Sequence, residues 1–419
     1  MQQTRFIVFF LFLSIHSLFA QSPGDLISYE QVKVRSVAEV SDLAVSRGYG
    51  LLMQSDTLAA MVNDLLQYPV AYYKVVYSTL DDGEPVHASG LVMIPQGLLA
   101  SLPLASYQHG TIMPALKNTA PSNYENFKGT RRLKSNMEVN FTGSIMASHG
   151  YVVTMPDYLG YGVSADRKID YTYTPSLATV SRDLLRAARS LCVQENVTLS
   201  GEVFLTGWSE GAGATMALHR MLESEHADEF AVVAQSSLAG YYNSSWMISN
   251  FGRKERPDFF SPLYLWSAWV LNEHSDALNY SAGEVFRHTY KQLPDQLVSW
   301  WMFALRRKTP ENLLCEDLYT QLNAGEAQEW YEAAKVNNHY DWKAEAPVYL
   351  HHGESDPVLP FFHSQIAQTA MLMQGSEVVL YSDPEGDHWS MVDSYLFRTL
   401  ADFDALRRTA GSVPVAATD

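Results

Sequence analysis

The stretch Val203–Ala214 constrains this chain more than any other. It reads Val203-Phe204-Leu205-Thr206-Gly207-Trp208-Ser209-Glu210-Gly211-Ala212-Gly213-Ala214. An apolar run of strand character ends, small residues flank a single serine, and a helix start made of small residues follows. A buried strand that turns sharply into a helix needs this composition, because two backbones crowd at the turn. Gly207 and Gly211, two before and two after Ser209, leave the room. Ala212, Gly213 and Ala214 then let the helix approach a sheet. Serine is a poor nucleophile unless its hydroxyl is exposed and a base takes its proton. The bare Gly-x-Ser-x-Gly pattern arises often by chance, so the strand-to-helix context is what makes Ser209 a candidate.

The remaining chain supplies a sheet for that strand. Leu104–Gln108, Tyr151–Met155, Phe230–Ala234, Val348–His351 and Glu377–Tyr381 are short apolar runs of buried-strand length. Leu177, Val180, Leu184, Ala188 and Leu191 recur at steps of three and four, one apolar helical stripe. A closing helix is expected over Trp389–Arg408. This alternation predicts an α/β fold with a mostly parallel central sheet flanked by helices. Ahead of it, Ala71–Tyr77 and Ser89–Ile94 read as a hairpin around Asp82-Gly83, and residues 25–68 contain helical patterning and are expected to pack across the outside of the core. From 240 to 345 no buried strand is visible and aromatic residues are dense (Trp246, Phe259, Phe260, Trp266, Trp269, Trp300, Trp301). Core-type strands resume at Val348, so this interval is expected to be an inserted helical cap. The division is therefore 21–239 for the first part of the core, 240–345 for the cap, 346–410 for the second part, and 411–419 for a flexible tail.

Residues 1–20 are a different object: Arg5, an apolar run from Phe6 to Phe19, and small Ala20. That is the pattern of a cleavable signal peptide, which predicts a secreted or periplasmic protein. No later stretch is long enough for an integral membrane span. A formal net charge of −17 argues against nucleic acid as a partner. The two cysteines, Cys192 and Cys315, do not make a disulfide framework, although a single pair could form. No metal-ligand spacing, P-loop or dinucleotide fingerprint occurs, so no cofactor is implied.

With the serine turn, Gln108-His109-Gly110-Thr111, Pro156-Asp157-Tyr158-Leu159-Gly160-Tyr161-Gly162, and the C-terminal segments around Asp356 and His388, the chain resembles the α/β-hydrolases over residues 70–408. More narrowly it resembles their secreted lipase and esterase-like branch. The family order is serine, acid, histidine. The resemblance implies that Asp356, in His352-Gly353-Glu354-Ser355-Asp356-Pro357, is the acid, with Glu354 and Asp383 as rivals. It implies that His388, in Gly386-Asp387-His388-Trp389, is the general base. His351 and His352 precede the acid and are out of order, and Asp387 reads as a turn residue. The oxyanion donors implied are the Glu210 N–H and an N–H from the Gly110-Thr111 segment, Thr111 before Gly110. The fuller glycine run of the family is missing there. His109 reads as a structural hydrogen-bonder, and Asp157, Gly160 and Gly162 as fixing a turn. Tyr158 and Trp208 are the candidate substrate contacts.

The function expected on this basis is hydrolysis of a small-molecule or lipid carboxylic ester through an acyl-enzyme. A peptidase or aminopeptidase of the same fold is the alternative, and it would show an electronegative pocket for a free amino terminus. A non-catalytic binding protein on this scaffold would have lost Ser209, Asp356 or His388, and all three are present.

Overall fold

A computed structural model describes residues 21–47, 56–126, 137–256, 260–287, 289 and 308–410. The expected signal peptide and tail, together with Phe259, Trp300 and Trp301, lie outside the described residues.

Nine strands form one sheet in the order β1-β2-β3-β5-β4-β6-β7-β8-β9. They are β1 Leu26–Arg35, β2 Val70–Asp81, β3 Glu84–Pro95, β4 Leu102–Gln108, β5 Val152–Pro156, β6 Leu199–Trp208, β7 Ala231–Leu238, β8 Val348–Gly353 and β9 Val378–Asp383. Strands β5, β4, β6, β7, β8 and β9 pair in parallel, and β1–β3 add an antiparallel edge. The β2–β3 hairpin turns at Asp82 (φ 49°) and Gly83 (φ 84°). Two successive positive φ values match the right-handed twist of the flanking strands.

Alternate residues of one strand feed opposite faces of the sheet. Val203 and Leu205 of β6 pack with Leu184, Leu191 and Leu218 from the helices Thr174–Gln194 and Glu210–Glu225. Phe204, between them in sequence, packs with Tyr395 and Phe403 of the closing helix Val392–Ala410. Both faces are therefore covered, as a parallel sheet requires. Between β7 and β8 the described elements are helices, among them Ser244–Gly252, Ser261–His274, Glu316–Ala324 and Gln328–Ala334. They enclose an apolar cluster of their own that includes Trp266 and Trp330.

The helical patterning within residues 25–68 forms the helices Val37–Arg47 and Asp56–Leu65, and the strand β1, which the sequence does not announce, precedes them. As an edge strand β1 is largely exposed on both faces, so it lacks the one-sided alternation that reveals a strand. Cys192 and Cys315 are unpaired, the first buried behind the sheet and the second at the N-terminus of the helix Glu316–Ala324.

The closing helix carries a pH-dependent anchor. Asp404 lies 2.8 Å from His149 Nε2 and accepts from the Tyr151 hydroxyl at 3.1 Å. Burial alone would lower the His149 pKa, but its bonds to Asp404 and the Leu65 carbonyl raise it. Burial alone would raise Asp404, yet the same bond holds it low. The histidine's contribution is complete below its unfolded pKa of about 6.5 and is lost as pH rises through the raised folded value. The aspartate's is complete above about 3.9 and is lost on further acidification. Both are present near pH 5–6. Asp404→Asn is expected to cost about 1 kcal/mol there, since partial exposure screens the pair, and clearly less at pH 9. Denaturant melts at the two pH values check this, and an equal loss at both contradicts it.

Candidate active site

Strand β6 ends at Trp208, the helix begins at Glu210, and Ser209 joins them at φ 59°, ψ −117°. That conformation is costly for any residue with a Cβ and persists only where its surroundings enforce it. The neighbouring glycines show how tightly they do. A Cβ on Gly211 would overlap the Gln108 carbonyl, and one on Gly207 would sit 2.6 Å from the Gly211 carbonyl. The Ser209 N–H donates to the Leu238 carbonyl at 2.9 Å, pinning the turn between β6 and β7.

His388 arrives from the loop after β9. Its carbonyl accepts from Trp208 Nε1 at 3.1 Å. Asp387 forms the adjacent turn by accepting the N–H groups of Trp389 and Ser390, each at 2.8 Å. This places His388 Nε2 3.0 Å from Ser209 Oγ and His388 Nδ1 2.6 Å from Asp356 Oδ2. The other oxygen of Asp356 accepts the N–H groups of Val358 (2.7 Å) and Leu359 (2.9 Å). Burial would raise this carboxyl, but bonds from His352 and His388 hold it well below the usual carboxylate range. An ionised Asp356 leaves His388 with its proton on Nδ1 and a bare Nε2 facing the serine hydroxyl. The rival carboxylates turn elsewhere. Glu354 accepts from Ser382 at 2.7 Å, and Asp383 from the Glu385 N–H at 3.0 Å.

The histidine judged out of order still has a place. His352 Nε2 lies 2.9 Å from the Leu359 carbonyl and 3.4 Å from Asp356 Oδ2, and its Nδ1 lies 2.7 Å from Ser364 Oγ. It braces the loop that holds Asp356. His351 instead points into the core toward Ser236, and burial lowers its pKa to about 3.

The backbone donors separate cleanly. Glu210 is the first residue of its helix, so its N–H has no intrahelical acceptor. Thr111 shares the walls of a small pocket with Ser209 and Glu210. Gly110 does not fit its expected role, because its N–H is already donated to the buried Glu138 carboxyl at 2.9 and 3.2 Å. Tyr158 and Trp208 also depart from expectation, since neither lines the pocket. Tyr158 is buried against the His109 ring with its hydroxyl on the His109 carbonyl at 3.3 Å, and Trp208 is committed to His388. Asp157 holds its turn by accepting from Ser89, from the Ser122 hydroxyl and from the Ser122 N–H. His109 Nδ1 lies 2.7 Å from the Gly110 carbonyl, and burial lowers its pKa to about 4.

The pocket's apolar walls come from residues that no motif marked. Met247, Phe260, Leu263 and Tyr264 enter from the helical segment between β7 and β8, and Val358 and Leu359 from the acid loop. Only their density of apolar and aromatic residues signalled them in the sequence.

A strand-turn-helix serine on a mostly parallel sheet, facing a histidine and an acid from the last two strands, defines a class. The profile of the alpha/beta hydrolase family matches residues 144–398, and the chain belongs to that family. Among solved structures it is similar to a putative hydrolase from Legionella pneumophila, with TM-score 0.76 and 23% identity over 94% of this chain and 100% of that one. It is also similar to the rice cell wall degrading esterase LipA from Xanthomonas oryzae, with TM-score 0.71 and 22% identity over 93% and 98%. Candida antarctica lipase A gives TM-score 0.63 and 16% identity over 88% and 78%. No curated protein sequence matches the chain.

Proposed function

We propose that this chain is an exported serine hydrolase that cleaves carboxylic esters through an acyl-enzyme. The observation that carries the reading is the Ser209–His388–Asp356 chain of 3.0 and 2.6 Å contacts at the edge of an apolar pocket. His388 Nε2 takes the Ser209 proton as Oγ attacks the ester carbonyl, and Asp356 stabilises the imidazolium that forms. The N–H groups of Glu210 and Thr111 receive the oxyanion, each worth about 3 kcal/mol in similar sites. The same imidazolium then protonates the leaving alcohol, and water repeats the sequence on the acyl-enzyme. Residues 240–345 act as a cap that covers the acyl group, and residues 1–20 direct export. The names of the Xanthomonas esterase and the Candida lipase support this choice of bond.

A peptidase that reads a free amino terminus would need an anionic pocket. The pocket does contain one carboxyl, Glu210, but burial pushes its pKa up to about 8 and it already accepts from the Thr172 N–H at 3.1 Å. A neutral, occupied carboxyl favours the ester over the aminoacyl amide.

Met247 and Tyr264 also wall a second, narrow and almost wholly apolar crevice among the cap helices. Met247→Ala is expected to join the two spaces. At about 0.8 kcal/mol per buried methylene, two further methylenes of acyl chain gain roughly tenfold in kcat/KM relative to the acetyl ester. The purified chain and this variant should be assayed on p-nitrophenyl esters of graded length beside aminoacyl p-nitroanilides. Turnover of the anilides without the esters refutes the ester reading, and an unchanged length profile in the variant refutes the placement of the acyl chain.

A further inference from the structure

His352 is a buried histidine that the acyl-transfer steps leave unused. It is the penultimate residue of β8, its ring is enclosed, and Phe361 packs edge-on against it at 5.7 Å. Nε2 lies 2.9 Å from the Leu359 carbonyl. A carbonyl can only accept, so Nε2 carries a hydrogen whatever Nδ1 carries. Nδ1 lies 2.7 Å from Ser364 Oγ, in the first turn of the helix Phe362–Met373, and that bond fixes the plane of the ring. Held this way, Nε2 also stands 3.4 Å from Asp356 Oδ2, the same oxygen that His388 Nδ1 meets at 2.6 Å. That contact is long for a hydrogen bond. It sets the positive edge of an N–H dipole against a carboxylate, with both side chains out of solvent. Leu359 closes the circuit. Its N–H holds the other oxygen of Asp356 at 2.9 Å, its carbonyl holds His352, and it lines the pocket.

We propose that His352 is a positioning residue for the triad: it ties Asp356 to the Leu359 segment of the pocket wall and, through its N–H edge, weakens the hold of that carboxylate on His388. The inference rests on the reading of Ser209, His388 and Asp356 as the reacting groups. His388 works as a base only when its Nε2 is bare. A carboxylate at Nδ1 favours the imidazolium and raises the pH at which the base is freed. The N–H edge of His352 faces the same oxygen, opposes that charge and keeps the base free closer to neutrality. A brace of purely structural importance acts with the opposite sign. Without it Asp356 drifts from His388, the imidazolium loses its counter-charge, and the base is freed at lower pH. The other titratable groups that bear on the pair are His363 and Asp387. Burial lowers the His363 pKa to about 3, and its Nδ1 accepts the Tyr242 and Asn243 N–H groups at 3.2 and 3.3 Å. Burial would raise Asp387, but the Ser390 and Trp389 N–H groups hold it low. Neither changes charge in the range where His388 titrates.

Glutamine at position 352 keeps an N–H in the place of Nε2, because the Leu359 carbonyl selects a donor there. Leucine keeps bulk and removes the donor. The test is the rate of fluorophosphonate labelling, beside kcat and KM on p-nitrophenyl acetate, from about pH 5 to about pH 9. It is run on the purified wild type, His352→Gln, His352→Leu and Ser364→Ala, with a thermal melt of each. Labelling reads the free base at His388 whether or not an ester is the substrate. His352→Leu is expected to move the acid limb of both rates up by about half a unit to one unit, a loss of about three- to tenfold below the limb, with KM within about twofold. His352→Gln should keep the limb within about 0.2 units of wild type. Ser364→Ala frees the ring to turn and should move the limb part of the way up, which decides the matter if the leucine variant fails to fold. A limb that stays in place or moves down in the variants lacking the held donor overturns the proposal, as does a glutamine variant that matches leucine. A wild type that labels at Ser209 but turns over no ester removes the ester reading alone, and the labelling limb then decides this inference. A wild type that does not label removes both.

Discussion

Replacing Ser209 by alanine is expected to lower ester turnover by about 10⁴- to 10⁶-fold while leaving the melting temperature within a few degrees of wild type. The size follows from the loss of the covalent route, since the remaining pocket and backbone donors can only polarise the ester for attack by water. The unchanged stability follows from the backbone. Alanine keeps the Cβ, so the φ of 59° is no better and no worse tolerated. Among the described residues, the hydroxyl lost is hydrogen-bonded to His388 Nε2 alone, at 3.0 Å. The measurement is steady-state turnover of p-nitrophenyl esters beside a thermal melt. A variant that keeps more than about a tenth of wild-type turnover contradicts the assignment of the nucleophile.

The second large effect is Asp356→Asn. The Val358 and Leu359 N–H groups point at one oxygen of this side chain, at 2.7 and 2.9 Å. In the asparagine variant they hold the amide carbonyl there. Its NH₂ then takes the place of Oδ2 and faces His388 Nδ1 and His352 Nε2 as a donor. His388 must accept on Nδ1 and carry its hydrogen on Nε2, toward Ser209, where it can no longer take the serine proton. A loss of about 10³- to 10⁴-fold in kcat is expected, the size known for this tautomer error. Glu354→Gln should change kcat by less than about twofold, because Glu354 bonds Ser382 and not His388. The reverse ranking of the two variants would move the acid to Glu354.

The legible parts of this molecule are those whose partners lie close in sequence or whose pattern repeats. Apolar runs marked every parallel strand, and the Asp82-Gly83 pair marked the hairpin turn. The glycines beside Ser209 announced a turn that the Gln108 carbonyl leaves no room to relax. Strand β1 was missed because an exposed edge strand has no buried face to imprint an alternation. Gly110 was misjudged for a different reason. Nothing in Gln108-His109-Gly110-Thr111 shows that a glutamate further along the chain will reach back and occupy its N–H. Tyr158 and Trp208 sit beside the motifs in sequence, yet one turns onto His109 and the other onto the His388 carbonyl. The pocket walls were invisible as individuals, because Met247, Phe260 and Tyr264 are brought to Ser209 only by the folding of helices from another segment.

The central claim is that Ser209 is the residue made nucleophilic by His388 and Asp356. It is tested most directly by reacting the folded protein with a fluorophosphonate and locating the adduct by peptide mass spectrometry. The predicted result is a single adduct on the peptide containing Ser209, formed in step with loss of ester turnover and slowed strongly in Asp356→Asn. An adduct on another residue, or ester turnover that persists with Ser209 fully modified, would contradict the account.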